Sequence, residues 1–338
     1  MKISRKRFIA FISAAILTCT TACIISACTD SDEPTKPVAS LTIVSNPTKT
    51  EYEQGEYFDS AGLVINATFE DNTTEDNVKY TINPNRPLEP TDTVVAAKYG
   101  EKQVTINIKV TYRGNNAMYN VENTPAITNS PLNGKTYLFL GSSVTYGANA
   151  GKESMSDYIA KRNNCTTIKK AVSGTTLGDY KENSYVKRLE NYIASTDKAT
   201  TLDAFICQLS TNDALKPENF GTITAANVKD KSAFDKSTTY GAMEYITALV
   251  KETWDCPVIF YTNSRYDNDN YSQMVTAVNS LKSKWNITVI DLFNDTEFNN
   301  ISESELKLYM TDEIHPTKAG YREWWTPKFE EALKDLLN

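Results

Sequence analysis

Apolar and polar positions follow three rhythms in succession along the chain. The first is a run of twenty uncharged residues, 8–27, behind Lys2, Arg5, Lys6 and Arg7. A basic start followed by such a run is the pattern of an export signal, so residues 1–27 are set aside from fold reasoning. The second rhythm, over residues 39–112, has a period of two. In "LVINATFE", Leu63, Ile65, Ala67 and Phe69 alternate with outward positions, which makes one face of a strand apolar. "VKYTIN", "TVVAAKY" and "KQVTINIKVTY" repeat the theme, with "EDNTTEDN" as a turn cluster and Gly100 in a tight turn between the last two. Short strands at this spacing predict a small all-β sandwich.

The third rhythm begins at Lys135. Apolar strand candidates at 136–141, 166–172, 203–209, 257–263 and 287–293 alternate with helical periods. Met274, Val278, Leu281 and Trp285 fall on one helix face, as do Met243, Ile246 and Val250, and Val186, Leu189 and Ile193. Trp325, Phe329, Leu333 and Leu336 mark another face, and Pro327 after Thr326 predicts a break there with a fresh N-cap. Strand–helix alternation with fully apolar strands predicts a parallel sheet of five strands covered on both sides. Residues 28–38 and 113–134 are polar and loop-like, reading as a tether and a linker, which leaves 135–338 as the α/β domain.

Charge narrows the possible partners. Without the four cations of the signal, 31 basic face 42 acidic side chains, a net charge of −11. That argues against nucleic acid and against electrostatic adhesion to anionic membrane. Cys165, Cys207 and Cys256 are odd in number and two sit in apolar runs, so free thiols are expected. One histidine and few cysteines exclude a His-rich or Cys-rich metal site. Ile25-Ser26-Ala27-Cys28 resembles the lipobox of bacterial lipoproteins, which makes Cys28 the candidate for lipidation; an uncleaved anchor helix, or a box shifted to Cys23, is the alternative. Each option places the rest of the chain outside the cytoplasm.

In a parallel α/β sheet a site forms at the carboxyl ends of the strands, so chemistry is sought after each strand. "GSSVTYG" (141–147) follows the first, with Ser143 at a strand-to-helix turn; Gly174 follows the second; Asn212 and Asp213 follow the third. Each alone is ordinary turn chemistry. "MTDEIHPT" then sets Asp312 three residues before His315, the only histidine, at a spacing that lets a carboxylate hold the imidazole N–H.

In this order the four elements resemble the SGNH hydrolases, the GDSL esterase/lipase family, over residues 135–338, and "NPTKTEYEQGEYFDSAGLVINATFEDN" looks like bacterial Ig-like modules over about 41–112. The family's Gly-Asp-Ser-x-Thr-x-Gly corresponds to Gly141–Gly147, with Ser142 in place of its Asp. The resemblance implies a three-layer α/β/α, flavodoxin-like domain behind an Ig-like sandwich. It also implies Ser143 as nucleophile, His315 and Asp312 as base and acid, and the Ser143 and Gly174 N–H groups with the Asn212 amide as an oxyanion hole, with no metal or organic cofactor. The implied substrate is an ester. Acylated polysaccharide is the preferred one, with Tyr146, Tyr180 and Tyr266 as either stacking platforms or packing residues. A short-chain lipase or thioesterase of the same fold, or a surface adhesin without turnover, are the other readings.

Overall fold

The period-two alternation folds as short strands. In the computed structural model, which describes residues 34–197 and 200–337, these are β1 (Val38–Ser45), β2 (Glu51–Glu53), β3 (Val64–Phe69), β4 (Thr74–Glu75), β5 (Thr81–Asn83), β6 (Val94–Tyr99), β7 (Lys102–Asn107) and β8 (Lys109–Thr111). The expected export signal and Cys28 lie outside the described residues. Described residues up to Thr48, with Ser60–Asn83 and Ala96–Ile106, form one compact unit; Lys49–Asp59, Pro84–Val95 and the chain from Asn107 on form another. In the first, β1 pairs antiparallel with β3, Leu41 opposite Ala67 and Ile43 opposite Ile65, and β4 extends that sheet. Leu63, Ile65, Ala67 and Phe69 are all buried, as the alternation requires. β5 pairs antiparallel with β6, Ile82 opposite Ala97.

In the second unit β2 runs parallel to β8. Its main sheet comprises β9 (Thr136–Gly141), β10 (Thr166–Ala171), β11 (Ala204–Gln208), β12 (Val258–Tyr261) and β13 (Thr288–Ile290), all parallel, in the order β10-β9-β11-β12-β13. The helices are α1 (Ser143–Tyr146), α2 (Met155–Asn163), α3 (Tyr185–Ser195), α4 (Thr239–Trp254), α5 (Asp269–Trp285), α6 (Glu303–Tyr309) and α7 (Thr326–Asp335). Successive strand residues feed opposite faces. Leu138, Leu140, Phe205, Cys207 and Phe260 join Val186, Leu189, Met243, Ile246, Met274 and Leu281 in one core layer. Tyr137, Phe139, Ile206, Ile259 and Tyr261 join Met155, Tyr158, Ile159, Trp325 and Phe329 in the other. Each such side chain contributes roughly 1.5–3 kcal/mol on burial, which fixes a three-layer α/β/α arrangement.

Helix ends aim the chain into the next strand. Asn164, Asp255 and Asn286 take left-handed backbone at the C-caps of α2, α4 and α5 (φ 50°, 49° and 50°), and β10, β12 and β13 follow directly. The expected break at Pro327 is not there. Gly320–Trp325 is a π-helical turn that runs straight into α7, with Trp325 and Thr326 both in right-handed helical conformation. The wider turn accommodates a residue that cannot donate to the carbonyl one turn earlier, so no new cap is needed. Among the described residues no helix is long and apolar enough to cross a membrane.

Candidate active site

The turn after β9 is held by a polar residue on the neighbouring strand. Gln208, buried at the end of β11, accepts through Oε1 from the Ser142 N–H (2.8 Å), the Thr145 N–H (3.2 Å) and the Thr145 hydroxyl (2.8 Å). Tyr261 in turn donates to Thr145 Oγ1 at 2.6 Å. These contacts seat one helical turn, α1, whose first residue is Ser143. Gly147 closes it with φ +77°, and a Cβ there would collide with the Glu153 backbone. Ser142, where the resemblance expects Asp, is fully buried with its hydroxyl beside that of Tyr185. Its backbone, not its side chain, serves the turn.

The His315 loop is a small closed structure. Thr311 donates to the His315 carbonyl from both N–H (2.9 Å) and hydroxyl (3.0 Å). Inside it, Asp312 Oδ1 accepts from the N–H groups of Ile314 and His315, each at 2.8 Å, and Oδ2 lies 2.9 Å from His315 Nδ1. Nδ1 therefore carries the proton, which leaves Nε2 as the acceptor that faces Ser143 Oγ at 2.8 Å. Burial pushes the Asp312 carboxyl up, but the His315 ring and the two backbone N–H groups more than offset it and hold it below the ordinary aspartate range. Outer supports come from Asn149, whose amide donates to Thr311 Oγ1 (2.9 Å) and Asp312 Oδ2 (3.3 Å), Tyr112, which donates to the Thr311 carbonyl (3.0 Å), and Asn263, which donates to the Ile314 carbonyl (3.2 Å). Asn115 extends this support, donating to the Asn149 carbonyl (2.7 Å) and accepting from the Lys318 N–H (2.9 Å).

Opposite, the loop after β10 presents Gly174. It has φ +75° and open space where a Cβ would stand, so glycine is required there by conformation rather than by crowding. Asn212 donates one amide hydrogen to the Thr175 carbonyl at 2.9 Å, leaving the second for another acceptor. The same loop is clamped by Asp213, whose fully buried carboxylate accepts from Leu177 N–H (2.7 Å), Gly178 N–H (3.0 Å) and Thr239 Oγ1 (3.0 Å). Burial raises the Asp213 pKa, and these hydrogen bonds offset it only in part. Arg188 donates to the Gly141 carbonyl (2.9 Å), to Thr175 Oγ1 (3.0 Å) and to the Lys170 carbonyl, tying β9, β10 and the Gly174 loop together.

Ser143, Asp312 and His315 thus meet in one hydrogen-bonded line, with Gly174 and Asn212 at the ends of the two strands that flank β9. Of the tyrosines, Tyr266 packs edge-on against Phe293 and close to Tyr271, the packing alternative. Sequence reasoning assigns no role to Gln208, Arg188, Asn149 and Asn263, and names Asp213 after the third strand without one. Two left a signal: Gln208 is the polar residue in the otherwise apolar "AFICQL", and Asp213 adjoins Asn212. Among the described residues no cluster of His, Cys, Asp and Glu could hold a metal ion.

The GDSL-like lipase/acylhydrolase family model matches residues 139–323, a span that contains all five residues. No curated protein matches the sequence. Similar solved structures include a protein from Lactobacillus plantarum (17% identity, TM-score 0.48, covering 60% of this chain and 98% of that one). Others are a protein described as a GDSL-like lipase from Bacteroides ovatus (18%, 0.43, 60% and 99%) and the inhibitor-bound aryl esterase of M. smegmatis (16%, 0.40, 60% and 99%).

Proposed function

Because this chain belongs to the GDSL-like lipase/acylhydrolase family and is a serine ester hydrolase, we propose that Ser143, His315 and Asp312 are its triad and that it deacylates glycans outside the cytoplasm. Ser143 Oγ attacks the ester carbonyl while His315 Nε2 takes its proton, and Asp312 orients the ring and stabilises the imidazolium. The oxyanion is met by the N–H groups of Ser143 and Gly174 and by the spare hydrogen of the Asn212 amide. His315 then protonates the leaving alcohol, and water repeats the sequence on the acyl-enzyme. The observation that carries this reading is the 2.8 Å approach of His315 Nε2 to Ser143 Oγ, backed by Asp312 at 2.9 Å.

An acetyl group on a polysaccharide is the favoured substrate. It suits an acidic chain with an export-type start, for which a lipid anchor at Cys28 and an Ig-like module over residues 39–112 are part of the same proposal. Hydrolysis of p-nitrophenyl acetate by wild type and by Ser143→Ala tests the triad: equal rates sink it. Acetate release from acetylated xylan, pectin and peptidoglycan, against long-chain esters, tests the substrate, and preference for the long-chain esters overturns the glycan assignment.

A further inference from the structure

A cavity of about 800 Å³ opens beside Asp312, a size suited to a small organic ligand. Its walls, all in the second unit, include Ser264–Asp267 after β12, Thr311–Glu313, and the segments that carry Gln54 and Glu89–Thr91. We propose that this cavity is the subsite for the alcohol half of the substrate, and that it selects neutral over anionic glycan. The inference rests on the glycan-esterase reading above.

Direction comes from the chemistry. His315 must hand its proton to the departing oxygen, so the alcohol leaves on the imidazole side of Ser143. The oxyanion donors Gly174 and Asn212 follow β10 and β11, whereas the cavity is walled by the loop after β12 and by the residues that precede His315. The cavity meets the Ser143–His315–Asp312 line at Asp312 and not at Ser143 or His315, so a sugar whose esterified oxygen lies at His315 reaches it with the units beyond the esterified one.

Selectivity comes from the lining. Tyr112, Tyr266 and Trp324 supply apolar ring surface, and the Gln54–Glu89 pair, joined at 2.8 Å, supplies hydrogen-bonding groups for hydroxyls. Glu89, Asp267 and Glu313 add carboxylates to that of Asp312, against Arg265 and Lys307, and Lys307 is engaged by Glu303 at 3.0 Å. A uronate or phosphate in such a field meets like charge, which discriminates against it without any steric device.

The test compares acetylated xylo-oligosaccharides, acetylated oligogalacturonides and p-nitrophenyl acetate on the full chain. Thr91→Trp, which places bulk at the cavity wall, should lower kcat/KM on the xylo-oligosaccharide about tenfold through KM and leave p-nitrophenyl acetate hydrolysis unchanged. The triple variant Glu89→Gln, Asp267→Asn, Glu313→Gln should raise the galacturonide-to-xylo-oligosaccharide ratio about tenfold. If both variants treat both glycans as wild type does, or if wild type prefers the galacturonide, the cavity assignment is wrong while the esterase reading stands. If wild type turns over p-nitrophenyl acetate but prefers long-chain esters to either glycan, the substrate class is wrong and the cavity assignment falls with it.

Discussion

The two loops that converge on Ser143 are each held by a carboxylate, one fully buried and one half exposed. On the Gly174 side the clamp is a fully buried carboxylate, Asp213, whose partners include two backbone N–H groups of the loop it fixes. On the His315 side the carboxylate also accepts from two backbone N–H groups, of Ile314 and His315, but it is half exposed and shared with the exposed Asn149 amide. The proposed chemistry accounts for the difference. An oxyanion hole works only if its donors are already in place when charge develops, so rigidity there is catalytic. The imidazole must give and take a proton within one cycle, and a carboxylate that stays ionised beside it is enough to keep its tautomer.

Removing a reacting group breaks both sides at once. His315→Ala should lower kcat for p-nitrophenyl acetate by on the order of 10⁴-fold or more, because the sequence holds no second histidine to take its place. Asn212→Ala comes next, at about 10²–10³-fold in kcat with KM little changed. Steady-state kinetics on the two variants rank them. Comparable losses in both would mean that the amide does more than meet the oxyanion, for example by holding Thr175.

The supports separate the two sides more sharply than the reacting groups do. Asp213→Asn trades an acceptor for an amide that faces N–H donors, so at least one buried donor loses its partner at a cost of about 1–3 kcal/mol. It should lower Tm and kcat together. Asn149→Ala removes hydrogen bonds at an exposed position, worth about 0.5–1 kcal/mol, and should lower kcat a few-fold with Tm nearly unchanged. Thermal melts beside kinetics decide the matter; equal Tm losses would erase the distinction between a buried and an exposed clamp.

The same contrast explains what the sequence made legible. Strand positions and the three-layer arrangement follow from apolar runs and helical periods, and the five strand candidates from Lys135 onward each contain an observed strand. Asp312 and His315 were legible because their contact is local, three residues apart. Gln208, Asn149 and Asn263 act on residues about 50 to 160 positions away, and no periodicity marks such a pairing. Residues 113–134 read as linker by their polarity, yet Asn115 lies in a short 3₁₀ turn of that segment and braces Asn149 and Lys318. Polar composition alone does not distinguish a segment solvated by water from one whose amides are spent on a neighbouring loop. Pro327 misled for a related reason: its missing donor was absorbed by widening the preceding turn, which depends on the packing of Tyr321 and Trp325 in the core.

The smallest effect concerns acid, where the two clamps should act with opposite sign. Asp312 has its pKa lowered in the folded chain, so its contribution to stability is complete above the unfolded value of about 4 and is lost as pH falls through the folded one. Asp213 has its pKa raised, so its penalty is absent in strong acid and sets in as pH climbs from about 4 through the higher folded value. Melts taken at steps across the acid range should therefore show Asp312→Asn flattening the fall of Tm below pH 4 relative to wild type. Asp213→Asn, besides its overall loss, should remove a shallow decline of Tm above pH 4. Shifts of the same sign in both variants would mean that the Gly174 loop is clamped by a carboxylate as readily ionised as the one beside His315, and the contrast between a buried and a half-exposed clamp would then lie in packing alone.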